Sequence, residues 1–190
     1  RQDESLEAYG GRIANELEAL ILHEGAGTVV GFVAETVGGA TAGVQVAPPG
    51  YWFRIKEICD QYGILLIADE VMCGMGRTGS MYACEQESFD PDIIAVAKGL
   101  GAGYQPIGAM LCSAEIVSTI SKGSGAFLGG HTYLGHPIAC AAALAVQKVI
   151  KANNLLDRAN DLGGMFQRCL VETFASHPHI GDIRGRGLFW

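Results

Sequence analysis

The sequence predicts an α/β fold built on a mostly parallel sheet covered on both faces. Three observations carry that reading. Short apolar runs such as ILLIA (64–68) and IIAVA (93–97) are continuous rather than alternating, as in strands buried on both sides. Segments with helical spacing stand between them. Glycine-rich stretches, GGATAGVQVAPPG (38–50) and GSGAFLGGHTYLGH (123–136), break the chain where loops are needed.

In order, residues 4–23 place Leu6, Tyr9, Ile13, Leu17 and Leu20 at helical spacing, with Gly10-Gly11 weakening the middle. GTVVGFVAE (27–35) is a strand pattern, and YWFRIKEICDQYG (51–63) is an amphipathic helix stopped by Gly63. ILLIADEV (64–71) is the next strand, MYACEQES (81–88) a short helix, IIAVAKG (93–99) a strand and PIGAMLCS (106–113) another. SAEIVSTIS (113–121) is a short helix. Pro137 suits the first turn of a longer one, PIACAAALAVQKVIKA (137–152).

Composition narrows the class. The 190 residues are 49% hydrophobic and 17% charged, which is globular. A net charge of −7 without a Lys/Arg run argues against nucleic acid and anionic membrane as partners. No apolar stretch is long enough to span a bilayer, and RQDESLEAYGG has no secretory pattern. The six cysteines are scattered without a C-x-x-C pair, as expected for buried thiols of a reduced, cytoplasmic compartment.

Three strand ends carry charge: Glu35, Asp69-Glu70 and Lys98. In open α/β sheets the ligand crevice lies beyond the carboxyl ends of the strands, so this is an active-site pattern. The structural alternative is that the acids cap a following helix or pair with a lysine. ILLIADE is also similar to the magnesium-holding segment of P-loop ATPases, but no G-x-x-x-x-G-K-[ST] accompanies it. A lysine held at a dry strand end loses its preference for the charged form and becomes a nucleophile toward carbonyls. A carboxylate beside it holds a protonated pyridine nitrogen, a bond worth about 1.5–3 kcal/mol. That lysine and carboxylate pair is what pyridoxal phosphate chemistry needs.

ADEVMCGMGRTGSMYACEQESFDPDIIAVAKGLGAGYQPIGAM, followed by GHTYLGHPIACAAALAVQKVI, closely resembles the class III aminotransferases of the omega-amino acid:pyruvate type. The resemblance implies the three-layer α/β/α, aspartate aminotransferase-like large domain of fold type I. It implies an enzyme using pyridoxal 5'-phosphate to move an amino group from an amine or omega-amino acid to a 2-oxo acid, pyruvate in particular. By it, Lys98 forms the Schiff base and moves the proton, and Asp69 partners the pyridine nitrogen. Val71 packs on the ring, Thr132 binds the cofactor phosphate of the neighbouring subunit in a homodimer, and Glu35 supports the site. Two positions depart from the family pattern. Met72 stands where members commonly have glutamine. Ala40 and Thr41 occupy the region where the GABA and ornithine enzymes carry a glutamate that parks a substrate-binding arginine.

Other residues have plainer expected roles: His131 and His136 as loop spacers, Arg77 paired with an acid, Trp52 and Phe53 in packing, Tyr104 at the substrate entrance or covering its loop. The related decarboxylase tends to have alanine where Val71 stands, and the aminomutase lacks the Gly74–Gly79 continuation. The family's serine/glycine-rich phosphate loop and ring-stacking aromatic are not found in these residues. The chain is therefore expected to be a fragment: residues 1–152 the second half of the large domain, and 153–190 the start of the small one with its first helix. GDIRGRGLFW is expected to begin a strand and leave an exposed apolar tail. A catalytically inactive fragment is the remaining alternative.

Overall fold

A computed structural model describes residues 3–39, 41–87 and 89–190. The elements run α1 (Leu6–Glu24), β1 (Gly31–Glu35), α2 (Tyr51–Tyr62), β2 (Leu65–Asp69), β3 (Ile93–Val96), β4 (Ala109–Cys112), α3 (Ala114–Lys122), α4 (Pro137–Ala152) and α5 (Leu155–Phe174). The four strands form one sheet in the order β1-β2-β3-β4. β1, β2 and β3 are parallel, and β4 returns antiparallel to β3. The antiparallel pair arises because the connection between β3 and β4 holds one short turn and no crossover helix.

Local chemistry fixes the ends. Ser5 caps α1 by accepting from the Ala8 N–H, and Ser113 caps α3 in the same way from Ile116. Gly63 closes α2 in the left-handed conformation. The main core lies between α1, α2 and one face of β2, where Ala14, Ile21, Ile55, Ile58, Leu66 and Ala68 are buried together. Trp52 joins them, stacked on Phe89 with ring centroids 4.7 Å apart. Phe53, expected in packing, is exposed on the opposite side of α2.

Several boundaries differ from those expected. β1 begins at Gly31 because Ala26–Thr28 make a 3-10 turn, in which the Thr28 hydroxyl donates to the Gly25 carbonyl. β3 ends at Val96, before a second such turn at Lys98–Leu100. β2 and β4 are likewise shorter than their apolar runs. The expected helix at 81–88 is a 3-10 turn, Ala83–Glu87, and its last residue, Ser88, lies outside the described residues.

The segment 181–190 is not a strand. Gly187, at φ 56°, turns it so that the Arg186 and Phe189 backbones bond to one another. Nor is it an exposed tail. Phe189 packs against a second cluster of Val37, Val44, Cys73 and Ala83. Arg184 donates to the carbonyls of Gly43 (2.9 Å) and Ala42 (3.0 Å). Arg186 Nη1 lies 2.6 Å from Glu87 Oε1, close as an ion pair though misaligned for a hydrogen bond. Among the described residues no helix is long and apolar enough to cross a membrane.

The two adjacent glycines of α1 separate cleanly in this packing. A Cβ on Gly10 would run into the Pro49 carbonyl oxygen at the α1–α2 contact, whereas a Cβ on Gly11 meets nothing within 4 Å. Gly11→Ala is expected to stabilise by about 0.8–1 kcal/mol through helix propensity. Gly10→Ala should destabilise despite the same gain. Urea unfolding of the two variants checks the difference in sign.

Candidate active site

Parallel pairing brings three strand ends to one edge. Glu35 is the register partner of Asp69, and Asp69 that of Ala95, three residues before Lys98. Asp69 Oδ1 accepts from the Val71 N–H at 2.9 Å, which folds the turn after β2 back over the strand end. Its other oxygen has no hydrogen-bond partner among the described residues. Glu35 Oε2 accepts from the Gly39 N–H at 2.9 Å, so this exposed carboxylate holds its own loop. A Cβ on Gly39 would fall 2.9 Å from Met72 Sδ, so Met72 closes against that loop.

At Lys98 the backbone leaves the sheet abruptly. Ala97 is extended, and Lys98 has φ 39°, a left-handed conformation costing of order 1–3 kcal/mol for a non-glycine residue. The Leu100 N–H then donates to the Ala97 carbonyl at 2.8 Å, closing the turn. The side chain is exposed, so the dry strand end expected for it is not built by the described residues: the turn carries it out of the sheet. It opens onto two clefts of about 1340 and 520 Å³, both also lined by Gly99, Met75 and Arg77. Asp69, Val71, Glu35 and Thr132 line neither. Thr132 sits in an exposed loop before α4.

The plainer expectations divide. His136 caps α4, its Nδ1 accepting from the Ala139 N–H at 3.4 Å, and His131 is exposed. Tyr104 is 77% exposed and lines the larger cleft. Arg77 does not have its expected acid: it is exposed and makes no ion pair among the described residues, because the GRTG turn directs it to the clefts. The reading of Ala40 lies outside the described residues.

The sequence pattern of the family Aminotransferase class-III matches residues 2–190. The chain belongs to the class-III aminotransferase family. An uncharacterized aminotransferase of Schizosaccharomyces pombe is 49% identical over 187 residues, 98% of this chain and 41% of that protein. A gamma aminobutyrate transaminase 3, chloroplastic, of Solanum lycopersicum is 45% identical over 97% of this chain and 36% of its own length. The omega transaminase from Pseudomonas jessenii, solved in complex with PMP, superposes with a TM-score of 0.91 at 42% identity, covering 98% of this chain and 41% of that one. The chain thus spans about two fifths of the length of the relatives it matches.

In this class-III aminotransferase chain the second strand-end acid has the structural role. Side chains alternate along β2, so Leu66, Ala68 and Glu70 turn to the buried face while Asp69 turns to the other. Glu70 is fully buried. Its Oε1 accepts from the Thr36 hydroxyl (2.7 Å) and the Cys84 N–H (2.9 Å). Its Oε2 accepts from the Ala83 N–H (2.8 Å) and the Cys73 thiol (3.3 Å). Burial, and then the nearby Glu70 charge, push the Cys73 thiol well up and that of Cys84 up to about 12. Burial raises Cys59 to about 11. The strand-end pattern carries Asp69-Glu70 as adjacent acids, and the period-two alternation of the preceding strand is what sends them to opposite faces.

Glu70→Ala strands four buried donors, from Thr36, Cys73, Ala83 and Cys84, and is expected to cost about 3 kcal/mol or more. Urea unfolding measures it, with Glu70→Gln recovering part of the loss. Because burial keeps Cys59, Cys73 and Cys84 as neutral thiols above the pH where exposed thiols ionise, about 8.5, iodoacetamide at that pH should leave all three unmodified until denaturant is added. Peptide mapping reads the result.

Proposed function

We propose that the full-length protein is a pyridoxal-phosphate-dependent aminotransferase that moves an amino group from an amine or omega-amino acid to a 2-oxo acid, with pyruvate as acceptor. The observation that carries this reading is the delivery of Asp69 and Lys98 by adjacent parallel strands to one sheet edge. The residues fit the cofactor. A carboxylate with one oxygen engaged and the other open suits a protonated ring nitrogen, and an exposed lysine opening on a cleft suits an aldehyde.

Bound here, the cofactor supplies an electron sink for the donor carbon. Asp69 would hold the proton on the ring nitrogen, and Lys98 Nζ would carry the covalent attachment and move the proton at the donor carbon. Val71, fixed through its N–H to Asp69, would pack on the ring, and Glu35 steadies the loop at Gly39. The absence of an acid at residues 40–41 favours the pyruvate branch over one with an arginine switch.

Thr132 serves the phosphate of a neighbouring subunit. The exposed Phe127, Leu128, Tyr133 and Leu134 around it in the chain support a homodimer. A partner subunit and the rest of the chain would then supply the dryness around Lys98. Residues 1–152 belong to the large domain and 153–190 open the small one. Free, scattered thiols support a cytoplasmic location.

Borohydride reduction of the full-length protein with added cofactor should leave one stoichiometric adduct on Lys98, read by peptide mass spectrometry. Label scattered over other lysines would overturn the assignment. Lys98→Ala is expected to lose the adduct and turnover with pyruvate by about 10²-fold to 10⁴-fold. Asp69→Asn should keep the adduct and lower turnover by about 10-fold to 100-fold, the worth of a charged hydrogen bond.

A further inference from the structure

We propose that Met75 and Gly99 form a matched contact that aims the Lys98 amine, making both of them positioning residues for the attachment of the cofactor; the inference rests on Lys98 being the anchor. Gly99 follows the lysine directly, and its backbone does not need glycine's left-handed freedom. What it needs is room. A Cβ built there would lie 2.9 Å from Met75 Cβ, 3.6 Å from Met75 Cγ and 3.8 Å from the Gly74 carbonyl oxygen. The Met75 atom in the way is the root of a side chain, so it cannot swing aside as a side-chain tip could.

Met75 is itself pinned. It has φ 55°, a conformation that disfavours any side chain. Its N–H donates to the Met81 carbonyl at 2.7 Å, and its Sδ lies 3.7 Å from Gln147 Nε2 on α4. The preceding Gly74 donates its N–H to the Glu70 carbonyl at 2.9 Å. The turn after β2 is therefore fastened to the strand end that carries Asp69, and through Met75 it presses on the residue after Lys98. Lys98 also has a left-handed backbone, which persists only where neighbours enforce it. Met75 against Gly99 is the contact that does so, and it fixes the lysine's direction relative to Asp69.

The test is made in the full-length protein. The apoprotein and its Gly99→Ala, Met75→Gly and Gly99→Ala/Met75→Gly variants are mixed with pyridoxal phosphate. Condensation of the lysine amine with the aldehyde, which forms one C=N bond and releases one water, is followed by absorbance and mapped after borohydride reduction. Thermal unfolding of each apoprotein reports folding separately.

Gly99→Ala is expected to slow condensation at Lys98 on the order of 10-fold to 100-fold, as a displacement near 1 Å does to a reacting group. Met75→Gly removes the contact without adding an atom, at a φ that glycine adopts freely. It should slow condensation less, and in the double variant it should restore most of the loss. A Gly99→Ala variant that condenses at the wild-type rate overturns the proposal, as does a folded double variant no faster than Gly99→Ala alone. If Gly99→Ala does not fold, Met75→Gly decides: a wild-type rate overturns the proposal, and a slower one supports it. Wild-type protein labelled at Lys98 with all variants equally fast removes this inference alone. Wild-type protein without an adduct on Lys98 removes the function proposed above as well.

Discussion

A carboxylate with no water around it sets the frame of this structure. Glu70 is buried at the end of β2, and a buried charge persists only if its lone pairs are filled. Four donors fill them, from three separate stretches: Thr36 after β1, Cys73 in the turn after β2, and the backbone of Ala83 and Cys84. Each stretch is thereby fixed relative to the strand that carries Asp69. Breaking such a network leaves unpaired polar groups in a low-dielectric interior, where their cost is greatest.

The consequence reaches the site through the backbone. The Glu70 carbonyl receives the Gly74 N–H, Met75 follows in a strained conformation, and Gly99 accommodates it beside Lys98. The Lys98 end of β3 and the Asp69 end of β2 are held by sheet register on one side and by this turn on the other. Under the proposed function, Lys98 and Asp69 would have to keep their separation through the reaction. Two independent restraints on the same pair of strand ends serve that need.

Much of this was legible in the sequence. Continuous apolar runs gave the strands, terminal charges gave the edge at which Glu35, Asp69 and Lys98 meet, and the motifs gave the family. The chain-end pattern was less legible. GDIRGRGLFW has a strand's composition at its end, yet Gly187 and the reach of Arg184 and Phe189 to distant partners make it an irregular clasp. The exposure of Lys98 among these residues was not legible either, because a run of apolar residues says nothing of where the chain turns after it. Glu70 was hidden beside Asp69, since three of its four partners lie 34 residues before it and 13–14 after it, separations that no local pattern encodes.

The Arg184 clasp also orders events during synthesis. The loop it holds contains Val44, a β-branched residue at φ 53°, whose conformation is costly unless its surroundings impose it. Gly43 leaves the ribosome 141 residues ahead of Arg184. At roughly 5–20 residues per second the nascent loop waits on the order of 7–30 s for that guanidinium. The sheet edge and the loop's own backbone bonds, Gly38 with Gln45 and the Val44 N–H to the Gly39 carbonyl, can form while the ribosome is still translating; the guanidinium is the last restraint to arrive.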